Sequence, residues 1–521
     1  MVDLLITNAR IVDGTGEPSF LGNIAVNNGK IISADSTVPQ AKQVLDADKN
    51  IVAPGFINSH SHGDMMVELD YTFFQEVEQG ITTQIAGMCG ISAAPFSTNF
   101  LSSAMEIAGT VVPYDFSSSV DSRTCFAKYM HMLQSRPLGN NMGTLVGHGM
   151  IRSCVLGMDN RAPDSVELER MKSILSECME NGAKGLSFGL IYPPGSYAQL
   201  AELIELSSVV TKYDGVVSVH LRNEGDGLID AVQEMIDVVH ASGCKLVISH
   251  HKAIHSANYG KTIQTLSLIE QANHDGFKVY CDQYPYEASS TGLKSRIPQK
   301  YHALGEEEML RLLTEPEQRN CLKKEILGNM TATQKFGTTM IGASVAHPEY
   351  TGRMLMDIAE ERHEEPTDVL MDILRDDRLT TNGIYFCMDS NDIERVLKYP
   401  RTMIGTDGIY YKGCSGAHPR AFGTFPRVLG KYVREKKTVS LEDAIRKMTS
   451  LPASVYNLPN KGLIDKGKDA DLVIFDSNTI ADCATYKDYD RKNTGIITVL
   501  INGEQVLEHG IFNGRCRGKT V

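Results

Sequence analysis

Short apolar runs alternate with amphipathic segments through the middle of the chain. Eight runs have the length and composition of buried strands: GFINSHSH, TTQIAGMCG, GTLVGHG, GLSFGLIY, GVVSVHLR, CKLVISHHK, FKVYCDQYPY and RTMIGTDG. The segments between them, such as DSVELERMKSILSECMENG, have apolar residues at helical spacing and end at glycine. Eight alternating strand and helix units predict a parallel (β/α)8 barrel, a TIM-type fold of the α/β class, over residues 56–460.

The two ends of the chain follow a different pattern, in which short strand-like runs alternate with turns. Residues 1–55 contain GNIAVNNGKIISAD, and residues 461–521 contain GIITVLINGEQVLEHG. We predict that these two ends combine into one small β-sandwich domain. A further interruption lies at about 287–345, where the segment EEEMLRLLTEPEQRNCLKKEILGNM is charged, helical and too long for an ordinary loop. It predicts an insertion over the barrel mouth.

Composition narrows the classes of partner. The 521 residues carry a formal net charge of −13, which argues against nucleic acid as a ligand because phosphate binding requires clustered basic charge. Residues 81–105 are uncharged but too rich in polar residues for a bilayer interior, and the N-terminus does not have the pattern of a signal peptide. A cytoplasmic protein without a membrane partner is expected. Its eleven cysteines show no CxxC spacing, which favours reduced thiols.

Most of the predicted strands end in a side chain that can bind a metal. His60 and His62 end the first run, Cys89 the second, His148 the third, His220 the fifth, His250 the sixth and Asp407 the eighth. The active site of such a barrel lies at these strand ends, and residues two apart on a strand face the same side. Imidazole, thiolate and carboxylate together favour Zn²⁺.

Two of these residues need separate consideration. A lone histidine at a strand end is more often a hydrogen-bonded structural residue than a ligand, and His148 keeps that interpretation. Taken alone, Cys89 is typical of a small buried hydrophobe. Its position among ligands suited to zinc favours a thiolate ligand instead.

The same residues lie in an ordered set of motifs that includes APGFINSHSHGD, GITTQIAGMCGISAAP, HLRNEGDGL, ISHHKA, DQYPYEASSTGL, GTDG and KGKDADLVIFD. The set resembles the metal-dependent amidohydrolases, and within them the N-acyl-D-amino-acid deacylases (D-aminoacylases), over nearly the whole chain. The resemblance implies two metal positions. Their expected ligands are His60 and His62, with Asp407 beside them, at one position, and Cys89, His220 and His250 at the other. One Zn²⁺ is expected to bind tightly and a second more weakly.

The chain departs from the superfamily at one point. Many amidohydrolases have a carbamylated lysine at the end of the fourth strand, whereas here that run ends in GLIY and Lys184 precedes it. The resemblance implies that the Cys89 thiolate supplies the missing anionic ligand. This departure counts against cyclic amide hydrolases such as dihydroorotases and hydantoinases, which usually keep the lysine. A non-enzymatic assembly protein of the same fold is a further alternative, although every expected ligand is present.

The resemblance implies hydrolysis of N-acyl-D-amino acids to a free D-amino acid and a carboxylate. Zn²⁺ would activate a water molecule, and Asp407 would serve as general base and then general acid. Lys252, Tyr284 and Arg420 are implied to bind the carboxylate of the substrate. The preference for the D enantiomer rests wholly on the resemblance.

Three further residues are candidates for contacts with the substrate. Tyr192, in LIYPPGS, fits a substrate contact and an aromatic ring packed at a strand end equally well. Lys294 and Arg296, in TGLKSRIP, are a hypothesis for selecting acidic D-amino acids.

Overall fold

The centre of the molecule is a parallel sheet of eight strands. The computed structural model describes residues 1–111, 116–328, 330–414 and 416–521. The eight strands coincide with the eight predicted runs, and the third is in two pieces. Their bounds are Phe56–Asn58, Ile81–Ala86, Asn141–Thr144 with Val146–Gly147, Gly185–Gly189, Val216–His220, Lys245–Ile248, Val279–Gln283 and Thr402–Ile404.

Backbone hydrogen bonds connect neighbouring strands around the sheet. In the third strand, Asn141–Thr144 pairs with the second strand and Val146–Gly147 with the fourth. Ser59 N donates to the Ile404 carbonyl at 3.1 Å, and Asp407 N donates to the His60 carbonyl at 3.0 Å, so the eighth strand is joined to the first. The predicted (β/α)8 barrel is confirmed.

Apolar side chains fill the inside of the barrel. One buried cluster contains Ile57, Ile85, Leu145, Val247 and Met403, which come from five different strands or their ends. This packed interior leaves the chemistry to the polar residues at the C-terminal strand ends.

Helices follow the strands on the outside of the barrel. Ser165–Glu180 is a representative case, because Asp164 and Glu167 form a capping box at its start and Met171 and Leu175 lie on its buried face. The helices of the barrel are Gly63–Met66, Phe74–Val77, Leu101–Ala108, Val120–Arg123, Phe126–Gln134, His148–Leu156, Ser165–Glu180, Leu200–Lys212, Leu228–Ser242, Thr262–His274, Ser390–Lys398, Arg420–Arg427, Val428–Glu435 (a π-helix), Leu441–Met448 and Ser450–Val455. No helix in the described residues combines the length and the apolar character that crossing a membrane requires.

Both ends of the chain contribute to one nine-stranded sheet. Ile51–Pro54 pairs antiparallel with Leu472–Phe475, and this pairing joins the N-terminal strands to the C-terminal ones. The other strands are Val2–Ile11, Phe20–Asn27, Lys30–Asp35, Ala41–Asp46, Ile496–Ile501, Glu504–Glu508 and Ile511–Phe512. Ile11, Val52 and Leu472 share one apolar core within this sheet.

The connection between the seventh and eighth barrel strands is an insertion with its own core. Ala288–Gly292 and Thr339–Ala343 both pair antiparallel with Asn382–Phe386. The insertion therefore extends beyond the predicted 287–345, because its central strand comes from a segment that is distant in sequence. Its helices are Glu306–Thr314, Pro316–Leu327, Ala332–Phe336, Leu355–Arg362 and Pro366–Asp376. Met309 and Leu370 belong to its separate apolar cluster.

A buried ion pair lies where the terminal sheet meets the barrel. Lys461 Nζ is 2.6 Å from an Asp471 carboxylate oxygen, and both side chains are only 6% exposed. The same oxygen accepts a hydrogen bond from Asn141 Nδ2 in the third barrel strand, and the Asp471 carbonyl accepts one from Gly55 N. Asp471 thus connects the sheet to the third barrel strand and to the residue that precedes the first.

Replacing Lys461 by Met is expected to lower the free energy of unfolding by about 3–5 kcal/mol, because the Asp471 carboxylate would remain buried without its cation. Urea unfolding followed by circular dichroism measures the change. Lys466→Met, at an exposed lysine nearby, is the control and should change the free energy by less than about 0.5 kcal/mol. Equal stability of the two variants would show that the ion pair does not stabilise this junction.

Candidate metal centre

Two overlapping groups of possible metal ligands lie at the C-terminal ends of the barrel strands. The first group contains His60, His62, Cys89 and Asp407, and the second contains Cys89, His220 and His250. Within each group the ligand atoms lie within 4.8 Å of one another, and all six side chains are buried. The structure therefore brings together the six residues that the sequence suggests as ligands, and Cys89 belongs to both groups.

Cys89 lies in a tight turn after the second strand. Its Sγ is 3.4 Å from His60 Nε2 and 3.5 Å from His250 Nε2. The next residue, Gly90, has φ +77°, and a Cβ there would lie 2.5 Å from Gly189 N at the end of the fourth strand. Only glycine fits such a close approach of two backbones. Lys184 precedes the fourth strand and so lies at the opposite end of the barrel from this turn.

Neighbouring charges keep the two acidic members of the centre ionised. Burial alone would raise the pKa of the Cys89 thiol, but the imidazoles of His60 and His250 outweigh it and hold that pKa well below its usual range. Burial likewise would raise the pKa of Asp407, whereas Arg420 and His60 hold it well below the usual value. A thiolate and a carboxylate therefore face the histidines.

The donor set fits a bound zinc ion. Within the described residues neither ring nitrogen of the buried His220 has a hydrogen-bond partner, and His62 Nδ1 is also without one. Buried polar atoms are normally paired, and a bound cation would supply the missing partner. Imidazole nitrogen, thiolate sulfur and carboxylate oxygen are the ligands that Zn²⁺ prefers.

Two acidic residues behind the histidines were not predicted from the sequence. An Asp282 carboxylate oxygen is 3.2 Å from His60 Nδ1 and accepts a hydrogen bond from His250 N at 2.6 Å. Glu224 lies 3.0 Å from His250 Nδ1. Such carboxylates orient metal-binding imidazoles. The sequence did contain an indication of Asp282, because this residue lies at the end of the seventh strand and the predicted ligands also lie at strand ends.

The three residues suggested to bind a substrate carboxylate line one cavity of about 510 Å³ in front of the centre. Arg420 Nη1 is 2.9 Å from Asp407, and its guanidinium lies 4.4 Å from the Tyr284 ring centroid. Lys252 Nζ contacts Glu224 at 2.6 Å and two atoms of His250. The buried Tyr284 hydroxyl has no hydrogen-bond partner in the part of the chain that the structure describes. Tyr284 therefore has an unused donor at this cavity.

The two remaining candidate residues, Tyr192 and His148, lie in different places. Tyr192 lines the same cavity, with its ring 5.0 Å from the His220 ring and its hydroxyl 3.3 Å from Thr291 Oγ1. His148 belongs to neither group of ligands and instead lies 2.8 Å from the buried Glu202 carboxylate. This contact agrees with the structural interpretation of His148.

Comparison with known proteins agrees with this geometry. A protein-family model described as the amidohydrolase family matches residues 43–507. The chain belongs to the amidohydrolase family. A D-aminoacylase of Alcaligenes xylosoxydans xylosoxydans is 32% identical to this amidohydrolase over 522 residues, which cover 100% of this chain and 97% of the relative. The resemblance found in the sequence is confirmed.

Solved structures of similar amidohydrolases share the whole fold. An N-acyl-D-glutamate deacylase from Bordetella bronchiseptica, complexed with zinc and a phosphonate that mimics the tetrahedral intermediate, has a TM-score of 0.82 and 32% identity, covering 100% of this chain and 99% of that chain. A D-aminoacylase described by one-metal activation and second-metal attenuation of its binuclear centre has a TM-score of 0.82 and 31% identity, with the same coverage.

Replacing Asp282 by Asn is expected to weaken zinc binding about 10–100-fold, because the His60 ring would lose the carboxylate that orients it. Competition with a chelating dye measures the affinity. Asp226→Asn is the control, since Asp226 lines the same cavity but accepts a hydrogen bond from Asn258. Unchanged zinc affinity in the Asp282 variant would contradict this role.

Proposed function

We propose that this amidohydrolase hydrolyses the amide bond of N-acyl-D-amino acids and releases a D-amino acid and a carboxylate. The observation that carries the proposal is the position of Cys89, whose thiolate belongs to both groups of ligands. Support also comes from the full-length similarity to a D-aminoacylase and to an N-acyl-D-glutamate deacylase. A linear amide is thus the proposed substrate.

His60, His62 and Asp407 would hold Zn²⁺ at one position, and His220 and His250 would hold it at the other; the Cys89 thiolate belongs to both groups and could serve either position. When bound, Zn²⁺ lowers the pKa of a water molecule and polarises a carbonyl group.

The charges around the centre favour one tightly held ion. Histidines that bind zinc are neutral. With the four imidazoles neutral, the acidic residues Cys89, Asp407, Asp282 and Glu224 face the basic residues Lys252 and Arg420, so two negative charges remain uncompensated. One Zn²⁺ neutralises them, whereas a second would leave net positive charge in a buried site, which is unfavourable. We infer that one position binds zinc tightly and the other more weakly.

Asp407 is proposed to move the proton in the reaction. It would accept a proton from the attacking water while the water oxygen bonds to the carbonyl carbon, and donate it to the nitrogen as the carbon–nitrogen bond breaks. One carboxylate oxygen is 3.3 Å from His62 Nε2, and the other is 2.9 Å from Arg420 Nη1. These contacts fix the orientation of the carboxylate that the proton transfer requires.

The amino-acid carboxylate of the substrate is proposed to bind at Tyr284 and Arg420. The free Tyr284 hydroxyl can donate one hydrogen bond, and the Arg420 guanidinium has donors beyond the one that faces Asp407. Lys252 already donates to the Glu224 carboxylate and to the His250 carbonyl, so its contribution would be mainly its positive charge. Tyr192 forms the wall of the cavity beside His220.

A panel of N-acetyl-D-amino acids and their L enantiomers, assayed for release of free amine, tests the proposed function. Only the D enantiomers are expected to release free amine at a measurable rate. Asp407→Asn should lower kcat by at least about 100-fold, because proton transfer would lose its carboxylate. Equal rates for both enantiomers would contradict the D preference, and full activity of Asp407→Asn would contradict the mechanism.

Replacing Cys89 by Ala is expected to lower the zinc content of the purified protein at both positions, because both groups would lose the same thiolate. Elemental analysis after purification without chelators gives the zinc per chain. Cys387→Ala is the matched control, since Cys387 lines the cavity but belongs to neither group. Equal zinc content in the two variants would argue against Cys89 as a shared ligand.

A further inference from the structure

The cavity in front of the metal centre is lined by four lysine and arginine side chains, and three of them face an acidic partner. Arg222 is 2.9 Å from Glu234, Lys252 is 2.6 Å from Glu224, and Arg420 is 2.9 Å from Asp407. The fourth is Arg296. No carboxylate among the described residues lies within ion-pair distance of Arg296, so its charge is uncompensated on the cavity wall.

The contacts of Arg296 leave part of its guanidinium available. The guanidinium carbon lies 4.1 Å from the centroid of the Tyr385 ring, which also lines the cavity. Stacking on a ring uses the face of the guanidinium and leaves its N–H donors in the plane. Nη2 makes one long hydrogen bond of 3.4 Å to Thr339 Oγ1. Nε is buried and has no hydrogen-bond partner in the described chain.

The surroundings of Arg296 are basic as well. Burial and the charge of Arg296 lower the pKa of Lys335, and no ion pair joins Lys335 to an acidic residue among those described. Burial and Arg296 also lower the pKa of His255, which lines the cavity. Arg296 thus meets basic groups at this wall, and an anionic ligand would compensate its charge.

Lys294 lies in a different environment from Arg296. It lines a second cavity of about 490 Å³, together with the acidic residues Glu106 and Glu306. The two basic residues of the TGLKSRIP segment are therefore separated, and only Arg296 lines the cavity in front of the metal centre.

We propose that Arg296 binds a carboxylate on the side chain of the substrate, so that the enzyme prefers N-acyl derivatives of D-glutamate or D-aspartate. This inference rests on the proposed function. Tyr284 and Arg420 are assigned there to the amino-acid carboxylate, and a second carboxylate would meet the free edge of Arg296. A planar guanidinium edge and a carboxylate form paired, charge-assisted hydrogen bonds.

The unaltered enzyme gives the first test. N-acetyl-D-Glu and N-acetyl-D-Gln have nearly the same shape but differ in charge, as do the D-Asp and D-Asn derivatives. We expect kcat/KM to be at least about 10-fold higher for one acidic substrate than for its amide and for N-acetyl-D-Leu and N-acetyl-D-Met. An equal or higher value for the neutral substrates would overturn this inference and leave the proposed function intact. Hydrolysis of none of them would overturn both.

Variants of Arg296 give the second test. Arg296→Gln should lower kcat/KM for the preferred acidic substrate about 100-fold, mainly through KM, and change the value for N-acetyl-D-Leu by less than about 3-fold. Arg296→Lys should retain part of the preference because it keeps the charge. Lys294→Gln is the matched control and should leave the ratio of acidic to neutral substrates unchanged.

The variant experiment also detects a purely structural role. Circular dichroism and zinc content would show whether each variant is folded and loaded with metal. A loss of activity toward acidic and neutral substrates in equal proportion in Arg296→Gln would overturn the proposal. The proposal would also be overturned if Lys294→Gln changed the ratio of kcat/KM for acidic to neutral substrates as much as Arg296→Gln does.

Discussion

Charge compensation in a buried space is the constraint on which the centre depends. Three barrel strands contribute the four histidines of the centre at their ends, and neutral imidazoles alone cannot offset the charge of a dication in a buried site. Cys89 and Asp407 face these rings as anions. The thiolate lies 3.4 Å from one histidine and 3.5 Å from another. The turn that holds it requires a glycine at the next position, so the packing of the barrel and the electrostatics of the site are linked at Cys89.

The barrel and its ligands could be predicted because both follow from local patterns. Each barrel strand is a short apolar run, and a parallel barrel brings the ends of all such runs to one face. His60, His220 and Asp407 are far apart in sequence, yet each ends a run. Their meeting at one place follows from the topology alone.

The parts that the sequence did not reveal depend on contacts between distant segments. The third strand of the insertion, Asn382–Phe386, pairs with Ala288–Gly292 across about ninety residues, and no local period indicates that pairing. Glu224 follows a strand by four residues, in a loop whose path cannot be read from periodicity. Lys294 and Arg296 are two residues apart, but a short helical turn separates their environments. In each case the sequence pattern does not indicate which distant residues lie next to the residue in the folded chain.

The insertion has an apolar cluster of its own, while the barrel strands supply the ligands. The wall that carries Arg296 and Tyr385 is therefore built by a unit that folds around different residues from those that hold the metal centre. Natural variation within this segment can reshape one side of the cavity without disturbing the groups that cleave the bond. With this architecture, substrate specificity can change during evolution while the catalytic residues and the reaction stay the same.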